Sequence, residues 1–422
     1  MRPLFGPLVA LVGIGIALSP LDAPTAAPCR AASRSGSRPP STIVDPTPDM
    51  PGTAPAIEMP QHLRGFGPAL DRARAGHGIV RVTHLGDSSI GMDGLPHELR
   101  SRYQRVYGDA GPGFVLLQPH SASYLNRAAT VRAEPAWSLC FIIRRCLRDG
   151  RYGLGGVSVE SPRGAQTVIR PRDGRAVQRA ELWYLAQPGG GELGFTFGPG
   201  GQERIATAAD GLEDRWRTLE RAAGDHTATV RALGGGRARA FGVVLENDGP
   251  GVVWDTLSMI GAFTPRLLAH DEAHFRSQLS HRGSDLVILS YGGNDLRRLV
   301  GRGLTEATLG DETHRVLARV RSALPDAGCL VIGINDHARS GNAVIEPAHV
   351  GAVEAAQRGA AARAGCAYWS TLSAMGGPAT FERWRQRGLA SDDGKHLSPR
   401  GRAVIGGRLF AALEDAHAGG TR

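Results

Sequence analysis

The sequence predicts an α/β fold built on a parallel sheet with helices on both faces, interrupted by an inserted all-β domain. Two observations predict it. Short apolar runs of buried-strand type alternate with helical patterns near residues 77–118 and again over 250–417. Between them, over 119–249, the texture changes to short alternating runs separated by glycine clusters. The two α/β segments therefore read as halves of one domain.

At the N-terminus, Met1-Arg2 precedes an uncharged, mostly apolar run from Leu4 to Leu18. That is short for a membrane span and matches the apolar core of a signal peptide; an uncleaved anchor is the alternative. Residues 1–30 are assigned to it. Cys29 follows Pro28, a poor context for lipid attachment. Pro39-Pro40, Pro46, Pro48, Pro51 and Pro55 leave no periodicity, so 31–76 is read as a linker.

In the first α/β segment, Ile79, Val80 and Val82 form a short buried strand. It runs through His84 and Leu85 into Gly86-Asp87-Ser88-Ser89. Leu95, Leu99 and Tyr103 then recur every four residues, with Pro96 fit for a first helical turn and Gly108 for the stop. Ser88 thus lies on a strand-to-helix turn, beside the positive end of a helix dipole. An alkoxide or a tetrahedral oxyanion is stabilised there. An ordinary N-cap serine is the bland alternative, and Asp87 braces the turn.

In the insert, Leu193, Phe195 and Phe197 alternate with small or polar residues, as do Ala228 and Val230. Gly189 to Gly191, Gly198 to Gly201 and Gly234 to Gly236 mark turns, giving a sandwich or jelly roll. Trp137, Trp183 and Trp216 suit its core better than a sugar-stacking face. In the second α/β segment, strands are expected at 285–291, 329–334 and 366–369, with helices at 313–324 and 350–363; residues 418–422 are left as a tail.

The chain has 422 residues and a net charge of +9. Lys395 is its sole lysine, and the arginines are scattered rather than set in a stripe with aromatics. Nucleic acid is therefore not an expected partner. There is no Cys-x-x-Cys, no His-Glu-x-x-His and no glycine-rich phosphate loop, so neither metal nor cofactor is expected. Export permits disulfides: Cys140 and Cys146 are expected to pair, while Cys329 and Cys366 suit either a bridge between neighbouring strands or two buried thiols.

A nucleophilic serine needs a base and oxyanion donors. Asp393 and His396 lie three residues apart on one loop, close enough for the carboxylate to fix the imidazole tautomer and leave Nε2 for the serine proton. The strand ending at Tyr291 runs into Gly292-Gly293-Asn294-Asp295, where Asn294 carries an amide donor. Gly261 offers a backbone N–H. His337, after another strand, is a rival base but a better candidate for shaping the substrate loop, and His84 reads as a packed histidine.

In this order, Gly86-Asp87-Ser88, Gly261, Gly292-x-Asn294-Asp295 and Asp393-x-x-His396 resemble the blocks of the SGNH (GDSL) hydrolase family. The resemblance covers about 78–118 and 250–415 and implies a three-layer α/β/α sandwich. It also implies roles: Ser88 as nucleophile, His396 as base, Asp393 as its orienter. The Ser88 and Gly261 N–H groups and the Asn294 amide would form the oxyanion hole, with Asp87, Gly292 and Asp295 in support. A looser similarity, carried by Gly108 to Phe114, the insert and Tyr368-Trp369, is to exported peptidoglycan O-acetylesterases with a carbohydrate-binding-like β module. Those relatives often carry histidine after the nucleophile, where this chain has Ser89.

The expected protein is an exported serine esterase acting on short acyl esters, acetyl above all. The site would be periplasmic, extracellular or membrane-anchored. Its partner is an acylated carbohydrate or cell-wall glycan, with no specific protein partner. An SGNH acyltransferase, a lipase or thioesterase, and a non-catalytic polysaccharide-binding protein are the alternatives.

Overall fold

The computed structural model describes residues 54–301 and 303–420. Its central sheet has five parallel strands in the order Gly251–Ser258, Ile79–Gly86, Leu286–Ser290, Gly328–Ile332, Ala367–Trp369. The chain's first strand sits second in the sheet, between the second and third. That reversal leaves a crevice at the carboxyl ends, where open α/β sheets bind ligands.

Both faces of the sheet are covered, which is why its strands are apolar without alternation. Val82, Trp254, Ile288 and Leu330 face the helices Phe66–Arg74, Gly94–Tyr107 and Pro399–Gly420. Leu257, Val287, Leu289 and Val331 face Glu272–Arg282, Glu306–Ala323 and Pro347–Ala364. The fold is the expected three-layer arrangement. Cys329, in the strand Gly328–Ile332, and Cys366, just before the neighbouring strand Ala367–Trp369, form a disulfide, as do Cys140 and Cys146 in the insert.

The insert is a sandwich of two antiparallel sheets. One, of six strands, holds Val177–Ala186 and Ala238–Glu246 at its centre; the other, of five, is centred on Ala228–Gly234. Leu182, Val243 and Leu245 of the first sheet meet Phe195, Phe197 and Val230 of the second. The outer face of the six-stranded sheet is not solvated. Phe114, Leu116, Trp183 and Phe241 on it join the core of the α/β domain beside Leu257 and Leu289.

An ion cluster also crosses this joint. Glu246, fully buried, receives Arg81 at 2.8 Å, Arg282 at 2.7 Å and Arg179, while Arg282 reaches Asp255 at 2.6 Å. Burial alone would raise the Glu246 pKa, but the three guanidinium groups win and hold it well below the usual carboxylate range.

Three boundaries differ from the sequence reading. Residues 1–53, with the leader and half of the linker, lie outside the described residues. The rest of the linker, 54–76, is not a linker: Leu63, Phe66, Leu70 and Ala73 are core residues, and Glu58 bridges to Tyr368. Their helical spacing was masked by the prolines and by Gly65 and Gly67. The sandwich also opens before 119, because Gly113–Leu116 pairs with Ala238–Glu246. At the C-terminus the last helix continues to Gly420, through most of the expected tail.

Candidate active site

Register brings the site together. Gly86 is level with Ser258 on one side and Ser290 on the other, so three strands end at one edge. From there the chain enters Asp87-Ser88, Met259 to Gly261, and Tyr291 to Asn294. Ser88 opens a short 3₁₀ turn, Ser88–Asp93, so its N–H is a first-turn donor with no intrahelical partner. Met92 and Asp93 then take left-handed conformations, φ 58° and 49°, before the helix Gly94–Tyr107. Such a costly path persists where surroundings over-determine it. Here Arg100, the Thr256 hydroxyl and the Arg127 N–H all bind the buried Asp93 carboxylate.

The last helix is preceded by the loop bearing Asp393 and His396. His396 Nε2 lies 2.8 Å from Ser88 Oγ, and His396 Nδ1 lies 2.5 Å from Asp393 Oδ2. The other Asp393 oxygen accepts the backbone N–H groups of Lys395 and His396, each at 3.0 Å. Burial pushes the Asp393 pKa up, but these hydrogen bonds outweigh it and hold the carboxyl below its usual range. An ionised Asp393 accepts from Nδ1–H, leaving Nε2 unprotonated toward the serine.

Behind Ser88 the supporting residues form one buried lattice. Asp87 accepts the Ser89 N–H at 2.8 Å and the Asn294 amide at 3.3 Å; burial raises its pKa. The second amide hydrogen of Asn294 goes to Ala262 O at 3.0 Å. Both donors of Asn294 are thus engaged, and the longer bond, to Asp87, is the one an oxyanion would compete for. Asp295 accepts the N–H and hydroxyl of Thr264, at 3.0 and 2.7 Å, tying the Gly261 loop to the Asn294 turn; burial raises its pKa too. Gly292 has φ 117°, and a Cβ there would lie 2.6 Å from Gln357 Nε2. Gly261 has φ 85°, and its N–H meets no acceptor among the described residues.

Ser88, Asn294 and His396 line a cavity of about 50 Å³ with Asp87, Ser89, His337, Lys395 and Arg402; Gly261 and Asp393 stand outside its lining, and so does every residue of the insert. Leu95, Ile332, Ile334 and Ile405 supply apolar wall. His337 gives its Nδ1–H to Asn335 O at 2.8 Å, and burial lowers its pKa to about 4. It is a neutral ring with no hydrogen bond to Ser88, whose Oγ is met by His396 instead, so it is not placed to take the Ser88 proton. His84 is fully buried, bonded to Ser290 Oγ at 2.7 Å, with burial lowering its pKa to about 3. Trp137 and Trp183 are buried and Trp216 stacks on His281, so none of the three offers an open sugar platform. The sequence reading missed Lys395 and Arg402 as cavity residues; no motif marks either. Among the described residues, no cluster of His, Cys, Asp and Glu could hold a metal ion.

Residues 195–404 match the model of the GDSL-like lipase/acylhydrolase family. The chain belongs to that family. This GDSL hydrolase is therefore an esterase by family. The matched stretch includes Gly292, Asn294, Asp393 and His396 and starts within the insert, so Ser88 precedes it. Among solved structures, a peptidoglycan O-acetylesterase is similar at 23% identity with a TM-score of 0.69, over 87% of this chain and 98% of that one. That likeness shows the fold, insert included. A family two carbohydrate esterase from Cellvibrio japonicus matches at 11% identity over 69% of this chain and 98% of that one, with a TM-score of only 0.27. An acetyl xylan esterase matches at 14% identity over 38% of this chain and 80% of that one, with a TM-score of 0.30. No curated protein sequence matches.

Proposed function

We propose that this GDSL hydrolase is an exported serine esterase that removes short acyl groups, acetyl first, from a polysaccharide or peptidoglycan. One observation carries the chemistry: the hydrogen-bonded series Ser88 Oγ, His396, Asp393 at the crevice of the sheet. Ser88 attacks the ester carbonyl as His396 Nε2 takes its proton. Asp393 holds the imidazole tautomer and balances the imidazolium. Charge gathering on the carbonyl oxygen meets the N–H groups of Ser88 and Gly261 and the amide of Asn294, which exchanges its long bond to Asp87 for the oxyanion. His396 returns the proton to the departing alcohol, and water then releases the acid from the acyl-Ser88 ester.

The cavity supports a short acyl group. Its 50 Å³ has room for about four water molecules at ~10–15 Å³ each, the scale of acetyl rather than octanoyl. The name of the similar O-acetylesterase supports a glycan substrate. Two disulfides, together with the apolar run from Leu4 to Leu18, support export to an oxidising compartment.

The test is a chain-length series of 4-nitrophenyl esters with wild type and Ser88→Ala, then acetate release from O-acetylated peptidoglycan and acetylated xylan. Acetate should be preferred and Ser88→Ala inactive but folded. Turnover by pure Ser88→Ala would sink the mechanism, and preference for octanoate the substrate class. Release from xylan alone would move the substrate from peptidoglycan to plant-type glycans.

A further inference from the structure

We propose that Arg402, with Lys395 on the same cavity, binds a carboxylate carried by the substrate, so that this enzyme selects acyl esters bearing a negative charge close to the scissile bond. The proposal rests on the esterase reading of Ser88 and deepens it.

Arg402 lies in the first turn of the helix Pro399–Gly420 and lines the cavity beside Ser88 and His396. It is partly buried, yet its guanidinium has no ion pair or hydrogen-bond partner among the described residues. The arginines buried more deeply are not left so. Arg100 is bound by Asp93, Arg282 by Glu246 and Asp255, and Arg408 donates to Ala374 O.

The surroundings repel a lone cation. Burial lowers the Arg402 pKa first, and the neighbouring Arg127 lowers it further; Asp393 is the counterweight. The two carboxylates near the reacting serine are already committed. Asp87 accepts from Ser89 and Asn294, and Asp393 from His396 and the backbone. The N-terminus of the helix Gly94–Tyr107 adds partial positive charge on the same side. The acidic side chain whose charge reaches Arg402, Asp393, is already bound to His396 and the backbone, which leaves the guanidinium fork to an anion from outside the chain.

The niche is also shaped for the guanidinium. A Cβ at Gly94 would lie 2.4 Å from Arg402 Cδ and 2.7 Å from Nη1, so the missing side chain is what leaves room for Arg402. A planar fork of N–H donors next to a compact ammonium fits a carboxylate, which takes two parallel hydrogen bonds from Arg. That carboxylate belongs either to an acidic sugar in the alcohol half of the ester or to the far end of a dicarboxylic acyl group. The chemistry recognised is the same.

The experiment compares kcat/KM for charged and uncharged substrate pairs in wild type, Arg402→Gln and Gly94→Ala. One pair is an O-acetylated oligogalacturonate and the same oligomer with its carboxyls converted to methyl amides. The other is 4-nitrophenyl hemisuccinate and 4-nitrophenyl acetate. Wild type should favour the charged member of at least one pair, and the pair that responds identifies which half carries the carboxylate. In Arg402→Gln that charged-to-uncharged ratio should fall about ten-fold or more, the scale of one lost charge-assisted contact. Gly94→Ala keeps the charge but displaces it, and should lower the ratio by a smaller factor. Thermal melts report folding separately, and the ratio is read only from folded samples. An unchanged ratio in both variants, or no charge preference in wild type, overturns the proposal. Absence of any Ser88-dependent hydrolysis in wild type would instead overturn the esterase reading beneath it.

Discussion

Replacing Asn294 by Ala separates its two roles. The side chain is 7% exposed, and its amide supplies one hydrogen to Ala262 O at 3.0 Å and one to Asp87 Oδ2 at 3.3 Å. Truncation strips both acceptors of a partner. Leaving buried acceptors unsatisfied costs about 1–3 kcal/mol, discounted here because Asp87 keeps the Ser89 N–H and the Asp87 bond is long. The catalytic loss is separate and larger. A single oxyanion donor is worth about 10²–10³ in kcat, because the charge it meets exists only in the transition state. The variant should therefore melt slightly earlier and turn over two to three orders of magnitude more slowly (about 10²–10³), with KM for 4-nitrophenyl acetate little changed. The assay is kcat and KM on that ester, normalised to active sites counted with a fluorophosphonate. If kcat stayed within roughly threefold of wild type while KM rose, Asn294 would be a substrate-binding residue and the oxyanion argument would be wrong.

Acid should destabilise the enzyme through its buried histidines. His84 and His337 have pKa values lowered by burial to about 3 and about 4, so they stay neutral in the folded chain while the unfolded chain takes up protons below its ordinary histidine pKa. Stability is full above about pH 6.5 and falls by about 3 kcal/mol for each of the two by about pH 4. Urea titrations at both pH values check this, and equal midpoints would contradict it. Mass spectrometry without reduction should find Cys140–Cys146 and Cys329–Cys366 bridged; replacing Cys329 and Cys366 together by Ala should cost about 2–4 kcal/mol by the same titration, and no loss would mean that strand pairing alone holds that edge. Gly292→Ala should lower both stability and kcat. Its Cβ would press on Gln357, which holds Tyr291 O at 2.7 Å and the Ile334 N–H at 3.0 Å, at a φ that costs alanine about 1–3 kcal/mol. A variant of normal activity would show that the turn relaxes.

What was legible in the sequence divides by range. Ser88, Asn294, Asp393 and His396 stand in short motifs whose local turns place them, so strand ends and loop residues sufficed to find them. The helix Phe66–Arg74 was lost because Pro68 and two glycines hid a regular apolar spacing that only its burial against the sheet makes decisive. The second amide bond of Asn294, to Ala262, depends on how two loops meet, which no motif encodes. Arg402 was invisible for a plainer reason. In a chain whose basic residues are almost all arginine, an unpaired one is recognised by what fails to surround it.

The strand Ile79–Gly86 delivers Ser88, yet its two neighbours in the sheet, Gly251–Ser258 and Leu286–Ser290, are both encoded after the insert. The serine's strand thus emerges from the ribosome long before anything exists for it to pair with. The strand pairings beneath Ser88 and its bond to His396 are of long sequence separation, and such topologies fold slowly. The insert is part of this assembly, since its six-stranded sheet forms part of the wall on which Leu257 and Leu289 pack. With the proposed triad, a chain made from its N-terminus acquires its ester-cleaving centre only as its last segment, with His396, docks. Hydrolytic competence is in this sense a report that the whole polypeptide has arrived.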